Sequence, residues 1–175
     1  MSDPIFESFL EAQQREALEL ASSSDLLDVH PLDGPTARHY LAVFGCAGLV
    51  RSSAGEVTTA NRFVVGIFLP PDYLRRAEPA EVLTWLSPAE IWHPNVDGRR
   101  GLVCPGPLAP GTRLHDLLFQ LFEIVTWHRA TLHEANALCW DACRWARAQD
   151  PGRFPVDRRP LRRLRARRTA EGANA

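Results

Sequence analysis

Lysine is missing from this chain: all 20 of its basic residues are arginine. GC-rich coding is a sufficient cause, but the chemical consequences hold whatever the cause. Without lysine there is no Walker-type Gly-x-x-x-x-Gly-Lys phosphate cradle, and no other nucleotide motif takes its place, so no cofactor is expected. Nor does the chain offer any side-chain amine of its own to an acyl donor. Long apolar runs are lacking too, and the acidic N-terminus has neither the basic nor the apolar region of a signal peptide. A cytoplasmic location is therefore expected, with Cys46, Cys104, Cys139 and Cys143 kept as reduced thiols and not paired in a disulfide framework. A formal charge of -1 argues against a chain-wide nucleic-acid surface. What is there, 175 residues with 45% hydrophobic content, is enough for one good core.

The most informative stretch runs from Trp92 to Pro107. It places His93-Pro94-Asn95 ahead of Cys104, with two glycines, Arg99 and Arg100 between them. Such composition makes a loop. Cys104 lies between Val103 and Pro105 with no apolar run after it, so it is placed to be reached. A thiolate is the reactive form of cysteine, and Arg99 and Arg100 are candidates to favour it. Asn95 carries an uncharged amide that can hold a loop shut or steady an oxyanion, but it cannot act as a base. On composition alone, a turn with a half-buried thiol explains the same residues.

Around this loop the chain reads as α+β. Asp3-Pro4 starts a helix whose apolar stripe is Phe6, Phe9, Leu10, Ala17, Leu20 and Ala21, leaving Glu11, Gln14 and Arg15 outside. Strands are expected over 26–30, 37–45, 61–69 and 80–86, with a turn near 52–55, giving a four-stranded antiparallel meander. Thr112 is the expected cap of a helix carrying Leu114, Leu117, Leu118, Leu121, Phe122 and Val125 inward. Thr131-x-x-Glu134 reads as a capping box for a last helix with Ala135, Leu138, Cys139, Ala142 and Ala146 inward, which would occupy the Thr131 hydroxyl. The spacing of Cys139 and Cys143 is compatible with metal, but packing is the better explanation and no metal is expected. The expected domain is 1–152, followed by a flexible Arg-rich tail over 153–175.

His93-Pro94-Asn95 followed by Gly101-Leu102-Val103-Cys104 resembles the active-site segment of the ubiquitin-conjugating enzyme family. The stretch from Phe63 to Tyr73 is similar to that family's third strand and its Pro-x-x-Tyr turn. The resemblance covers roughly 3–149, with motif-level specificity only around 63–104. Three departures stand out. The interval from Asn95 to Cys104 is one residue longer than usual for the family. Its Trp-x-Pro after the cysteine is replaced by Leu108-Ala109-Pro110-Gly111-Thr112, and its acidic Asp-Pro-Asn gate by Trp127-His128-Arg129-Ala130-Thr131.

The resemblance implies a ubiquitin-conjugating-enzyme-like fold with Cys104 taking a ubiquitin-like modifier as a thioester from an activating enzyme and passing it to an amine on a protein target. Asn95 would stabilise the oxyanion or brace the loop, and His93 would hold that loop. Asp97 and His128 are the candidates for deprotonating the acceptor. The outer face of the first helix would meet the activating enzyme. A bacterial operon with the modifier, its activating enzyme and a deconjugating peptidase, serving antiphage defence, is implied further. The competing readings are a non-catalytic binding module of the same fold and an unrelated thiol hydrolase pairing Cys104 with His93, His115 or His128.

Overall fold

A computed structural model describes residues 3–163. Helix α1 spans Pro4–Ser22, and Asp3 caps it, its Oδ1 accepting the Ile5 N–H at 3.0 Å while Pro4 supplies a preset φ at the first position. Its buried face is Phe6, Leu10, Gln13, Ala17 and Leu20. Glu11 and Arg15 are exposed as expected. Gln14 is not free: its side-chain oxygen accepts the Ala37 N–H at 3.1 Å.

Strands β1 (Leu27–Pro31) and β2 (His39–Phe44) are followed by a hairpin of β3 (Gly48–Arg51) and β4 (Val57–Ala60), and then by β5 (Phe63–Phe68). After a single helical turn, α2 (Pro79–Val82), comes β6 (Leu83–Ser87). A four-stranded antiparallel sheet forms in the order β1-β2-β5-β6. Tyr40, Ala42 and Phe44 of β2 face the core, while His39 on the other face is exposed.

Two stretches around the sheet differ from the sequence reading. The meander is interrupted by the β3–β4 hairpin, whose turn closes where expected, the Gly55 N–H donating to the Ser52 carbonyl at 2.9 Å. The strand expected over 80–86 begins only at Leu83, because Pro79 at a helix first position lets the Val82 N–H reach back to the Glu78 carbonyl at 3.0 Å. The hairpin positions the site. The free edge of β3 takes the Arg51 N–H to the Glu90 carbonyl at 2.9 Å and gives the Leu49 carbonyl to the Trp92 N–H at 2.8 Å.

Helix α3 (Leu114–Val125) lies against α1 and buries Leu114, Leu117, Leu118, Leu121, Phe122, Ile124 and Val125. Thr112 is not its cap, since the Thr112 hydroxyl donates to the Ala109 carbonyl at 2.7 Å. Gln13 of α1 does that work across the core, its oxygen accepting the Leu114 N–H at 2.7 Å. The last helix, α4, spans Trp140–Arg147 with Cys139 at its N-cap, and only a short 3-10 turn, Glu134–Asn136, stands where the capping box was expected. Ala142, Cys143 and Ala146 are its buried residues. All four cysteines are free thiols, Cys46 and Cys143 buried, Cys104 and Cys139 half-buried.

A second, smaller apolar cluster gathers Leu49, Trp92, Trp127, Ala142 and Ala146. Trp127 follows α3 at a φ of 64°, left-handed backbone that an indole side chain rarely adopts. It is held there by Phe154, stacked on it at 4.8 Å, and by Trp145 at 5.9 Å. The expected tail divides at this point. Residues 153–163 lie against the domain: the Val156 N–H donates to the Thr126 carbonyl at 2.9 Å, Asp157 accepts the Ala47 N–H at 2.8 Å, and Leu161 is 2% exposed. The rest of the expected tail, 164–175, lies outside the described residues. No helix among the described residues is long and apolar enough to cross a membrane.

Candidate active site around Cys104

After Trp92 the chain enters a small hairpin of β7 (Val96–Asp97) and β8 (Leu102–Val103), paired Val96 to Val103 and Asp97 to Leu102. Val96 and Val103 are buried and anchor it, and the Gly101 carbonyl accepts the Trp85 N–H from β6 at 2.9 Å. The tip turns tightly, with the Asp97 carboxylate accepting the Arg100 N–H at 3.0 Å and Gly101 at a φ of 70°. At the open end the ladder goes one step further, the Cys104 N–H donating to the Asn95 carbonyl at 2.8 Å. Asn95 and Cys104 are therefore cross-strand neighbours, brought together by the hairpin despite nine positions of separation.

The Asn95 side chain, 5% exposed, completes the junction. Its Nδ2 donates to the Cys104 carbonyl at 2.9 Å and to the Thr131 hydroxyl at 2.9 Å, and its Oδ1 accepts the Thr131 N–H at 2.8 Å. Thr131 is thus no helix cap. Its hydroxyl and N–H are taken by the site, and Glu134, the other half of the expected capping box, pairs with Arg147 and Arg144 of α4. The segment between α3 and α4 is fastened to the hairpin at two further places. The Pro94 carbonyl accepts the Leu138 and Cys139 N–H groups at 2.8 and 3.1 Å, and the Arg129 guanidinium donates to the Pro105 carbonyl at 3.2 Å.

His93 has no exposure at all. Its Nδ1 accepts the Asn95 N–H at 3.0 Å and its ring meets Trp127 edge-on at 4.5 Å. Burial pulls its pKa down to about 3, against a smaller upward pull from the Arg129 backbone. The ring is neutral near pH 7 and fixes the turn into Asn95. It is out of reach as a proton carrier.

Asp97 and His128 do not join Cys104. The Asp97 carboxylate is spent on the hairpin tip and lines, with Arg51, Cys139 and Asp141, a cleft of about 430 Å³ that does not include Cys104. Arg99 lines the same cleft and Arg100 sits 4.0 Å from Asp97, so both arginines lie at the tip, the far end of the hairpin from the thiol. His128 is exposed, with Nδ1 2.7 Å from the Thr126 hydroxyl. The same hydroxyl lies 2.6 Å from the Phe122 carbonyl. His115 is engaged with Asp116 on α3 at 3.2 Å. Among the described residues, no histidine ring hydrogen-bonds the Cys104 sulfur.

The polar residues that do reach the Cys104 loop are Asn95, Thr131 and Arg129. The sequence flagged only the first. No ion pair neutralises Arg129 among the described residues, so a lone guanidinium stands beside the residue following the thiol.

No protein-family model matches the chain, and no curated protein matches it. Among solved structures it is similar to the human ubiquitin-conjugating enzyme E2 G1, with a TM-score of 0.46 and 19% identity, over 65% of this chain and 91% of that one.

Proposed function

We propose that this protein is a ubiquitin-like-protein conjugating enzyme that carries its modifier as a thioester on Cys104. One observation supports this above the others: a half-buried thiol at the open end of a hairpin, its own N–H and carbonyl both bonded to an asparagine in a His-Pro-Asn turn. The motif resemblance supplies the reaction class, and the geometry suits what that reaction asks. Thioester exchange is close to balanced in energy, so the protein has to present the sulfur and hold the acyl carbon.

In the first step the Cys104 thiolate attacks the modifier's C-terminal thioester carbonyl, forming a new C–S bond as the activating enzyme's thiolate leaves. In the second, an acceptor amine attacks the Cys104 thioester, the amine loses a proton, and the Cys104 thiolate is expelled. His93, buried and neutral, holds the Asn95 turn throughout. Of the two expected bases His128 is the exposed one, whereas the Asp97 carboxylate is held by the Arg100 N–H. The chain holds no nucleotide motif, so ATP-dependent activation belongs to a partner enzyme.

The test is reconstitution with an activating enzyme, its modifier and ATP. A conjugating enzyme shows a band shift that a reducing agent removes and Cys104→Ala abolishes. A binding module shows no shift, and a thiol hydrolase cleaves model thioesters without ATP and accumulates no adduct.

A further inference from the structure

An amide NH2 has two hydrogens to give, and in this structure both of those on Asn95 are already placed, one on the Cys104 carbonyl and one on the Thr131 hydroxyl, each at 2.9 Å. The amide oxygen is occupied as well, by the Thr131 N–H at 2.8 Å. In the resting state no Asn95 donor is left for a carbonyl oxygen bound at Cys104. The three contacts are not equivalent. Two of them, to the Cys104 carbonyl and from the Thr131 N–H, tie the side chain to backbone and fix its plane. The third goes to a hydroxyl that makes no other hydrogen bond among the described residues and stands on the irregular segment between α3 and α4.

We propose that Thr131 is a positioning residue whose hydroxyl holds the second Asn95 N–H in reserve and gives it up to the oxyanion of the tetrahedral intermediate. This rests on the thioester reading of Cys104. A neutral thioester oxygen is a weaker acceptor than an alcohol and does not displace Thr131. The tetrahedral oxygen carries a full charge, and a charge-assisted hydrogen bond is roughly twice as strong as a neutral one. The exchange is thus favourable only at the point of reaction, which is where stabilisation raises a rate. The backbone contacts keep the amide aimed while the donor changes partner.

The balance follows from the competition. Removing the hydroxyl while keeping the Thr131 backbone leaves the brace intact and the second N–H without a resting partner. One hydrogen bond of ordinary net strength then no longer opposes the reaction, which corresponds to about a three- to tenfold faster breakdown of the thioester.

The experiment loads the full chain with a small acyl thioester of mercaptoethanesulfonate, removes the excess reagent, and follows discharge to glycine by intact-protein mass, with Cys104→Ala as background. Thr131→Val is expected to discharge about three- to tenfold faster than wild type, and Thr131→Ser to return toward the wild-type rate. In an Asn95→Ala background the Thr131→Val substitution is expected to make no difference, because the hydroxyl acts only through that amide. A Thr131→Val rate equal to or below wild type overturns the proposal, as does an acceleration that persists without Asn95. Wild-type protein that never acquires the acyl group at Cys104 instead overturns the thioester reading, and the reserve role with it. Thermal unfolding of each variant separates slow discharge from loss of fold.

Discussion

Asn95 and Cys104 bond to each other twice, the Cys104 N–H to the Asn95 backbone carbonyl at 2.8 Å and the Asn95 side-chain amide to the Cys104 carbonyl at 2.9 Å. The Cys104 backbone is therefore clamped from both sides by one residue, Asn95. Under the proposed function, a sulfur on such a clamp keeps its position while the acyl group changes hands.

Asn95→Ala removes the side-chain half of the clamp and leaves the Thr131 N–H and the Cys104 carbonyl without partners. A loss of about 1–3 kcal/mol in chemical denaturation is expected. Asn95→Asp is expected to cost at least as much at neutral pH, since a carboxylate oxygen then faces the Cys104 carbonyl. Acidification should relieve part of that cost by restoring a donor.

The acid limb of stability is expected to carry the signature of His93. Its pKa is about 3 in the folded protein and 6.5 in an unfolded chain, so the unfolded state takes up the proton first. Its contribution is intact above pH 6.5 and is lost progressively as pH falls toward 3. Asp157, held at about 2 chiefly by hydrogen bonds from Arg159, acts in a lower window, losing its contribution only as pH falls from 3.8 to about 2. Denaturation curves at pH 7, 5.5 and 4.5 therefore isolate His93 among these two. His93→Asn, whose side-chain oxygen can accept the N–H two residues on, should flatten the slope between those values.

Gly98 sits under the hairpin tip, where an added Cβ would stand 2.5 Å from the Ala89 carbonyl oxygen and 2.6 Å from Ile91 Cγ2. Gly98→Ala is expected to lift the tip, destabilise the fold by about 1–3 kcal/mol, and slow acyl loading of Cys104. Loading at the wild-type rate with wild-type stability would show that the tip does not position the thiol.

Leu161 is 2% exposed, in a segment that composition alone assigns to a tail. Leu161→Ala should cost about 2–5 kcal/mol in urea denaturation, as a core leucine does. An exposed tail leucine would cost almost nothing.

The apolar stripes of α1 and α3 were legible because each helix packs one continuous face on the core, and β5 because it is apolar over its whole length. The β3–β4 hairpin was not. Its strands are short, and Thr58 and Thr59 face outward, so no alternating pattern announces them. The error at Thr131 is more instructive. Thr131-x-x-Glu134 satisfies a local rule for a helix start, but the Asn95 amide offers Thr131 both a donor and an acceptor from across the fold, and that pairing wins. Nothing in the spacing of Asn95 and Thr131, 36 positions apart, could have revealed it. Likewise Phe154 and Leu161 stand among arginines and prolines whose composition hides that they cover Trp127 and the core.

The most direct measurement is the site of acylation when the full chain meets a modifier-derived thioester, mapped by peptide mass spectrometry over all four cysteines. Cys104 and Cys139 are both half-buried, so access alone does not choose between them. The expected result is an adduct on Cys104, removed by reducing agent and discharged by an amine, with Cys139 unmodified. An adduct shared evenly with Cys139, or absent from Cys104, would contradict the conjugating role.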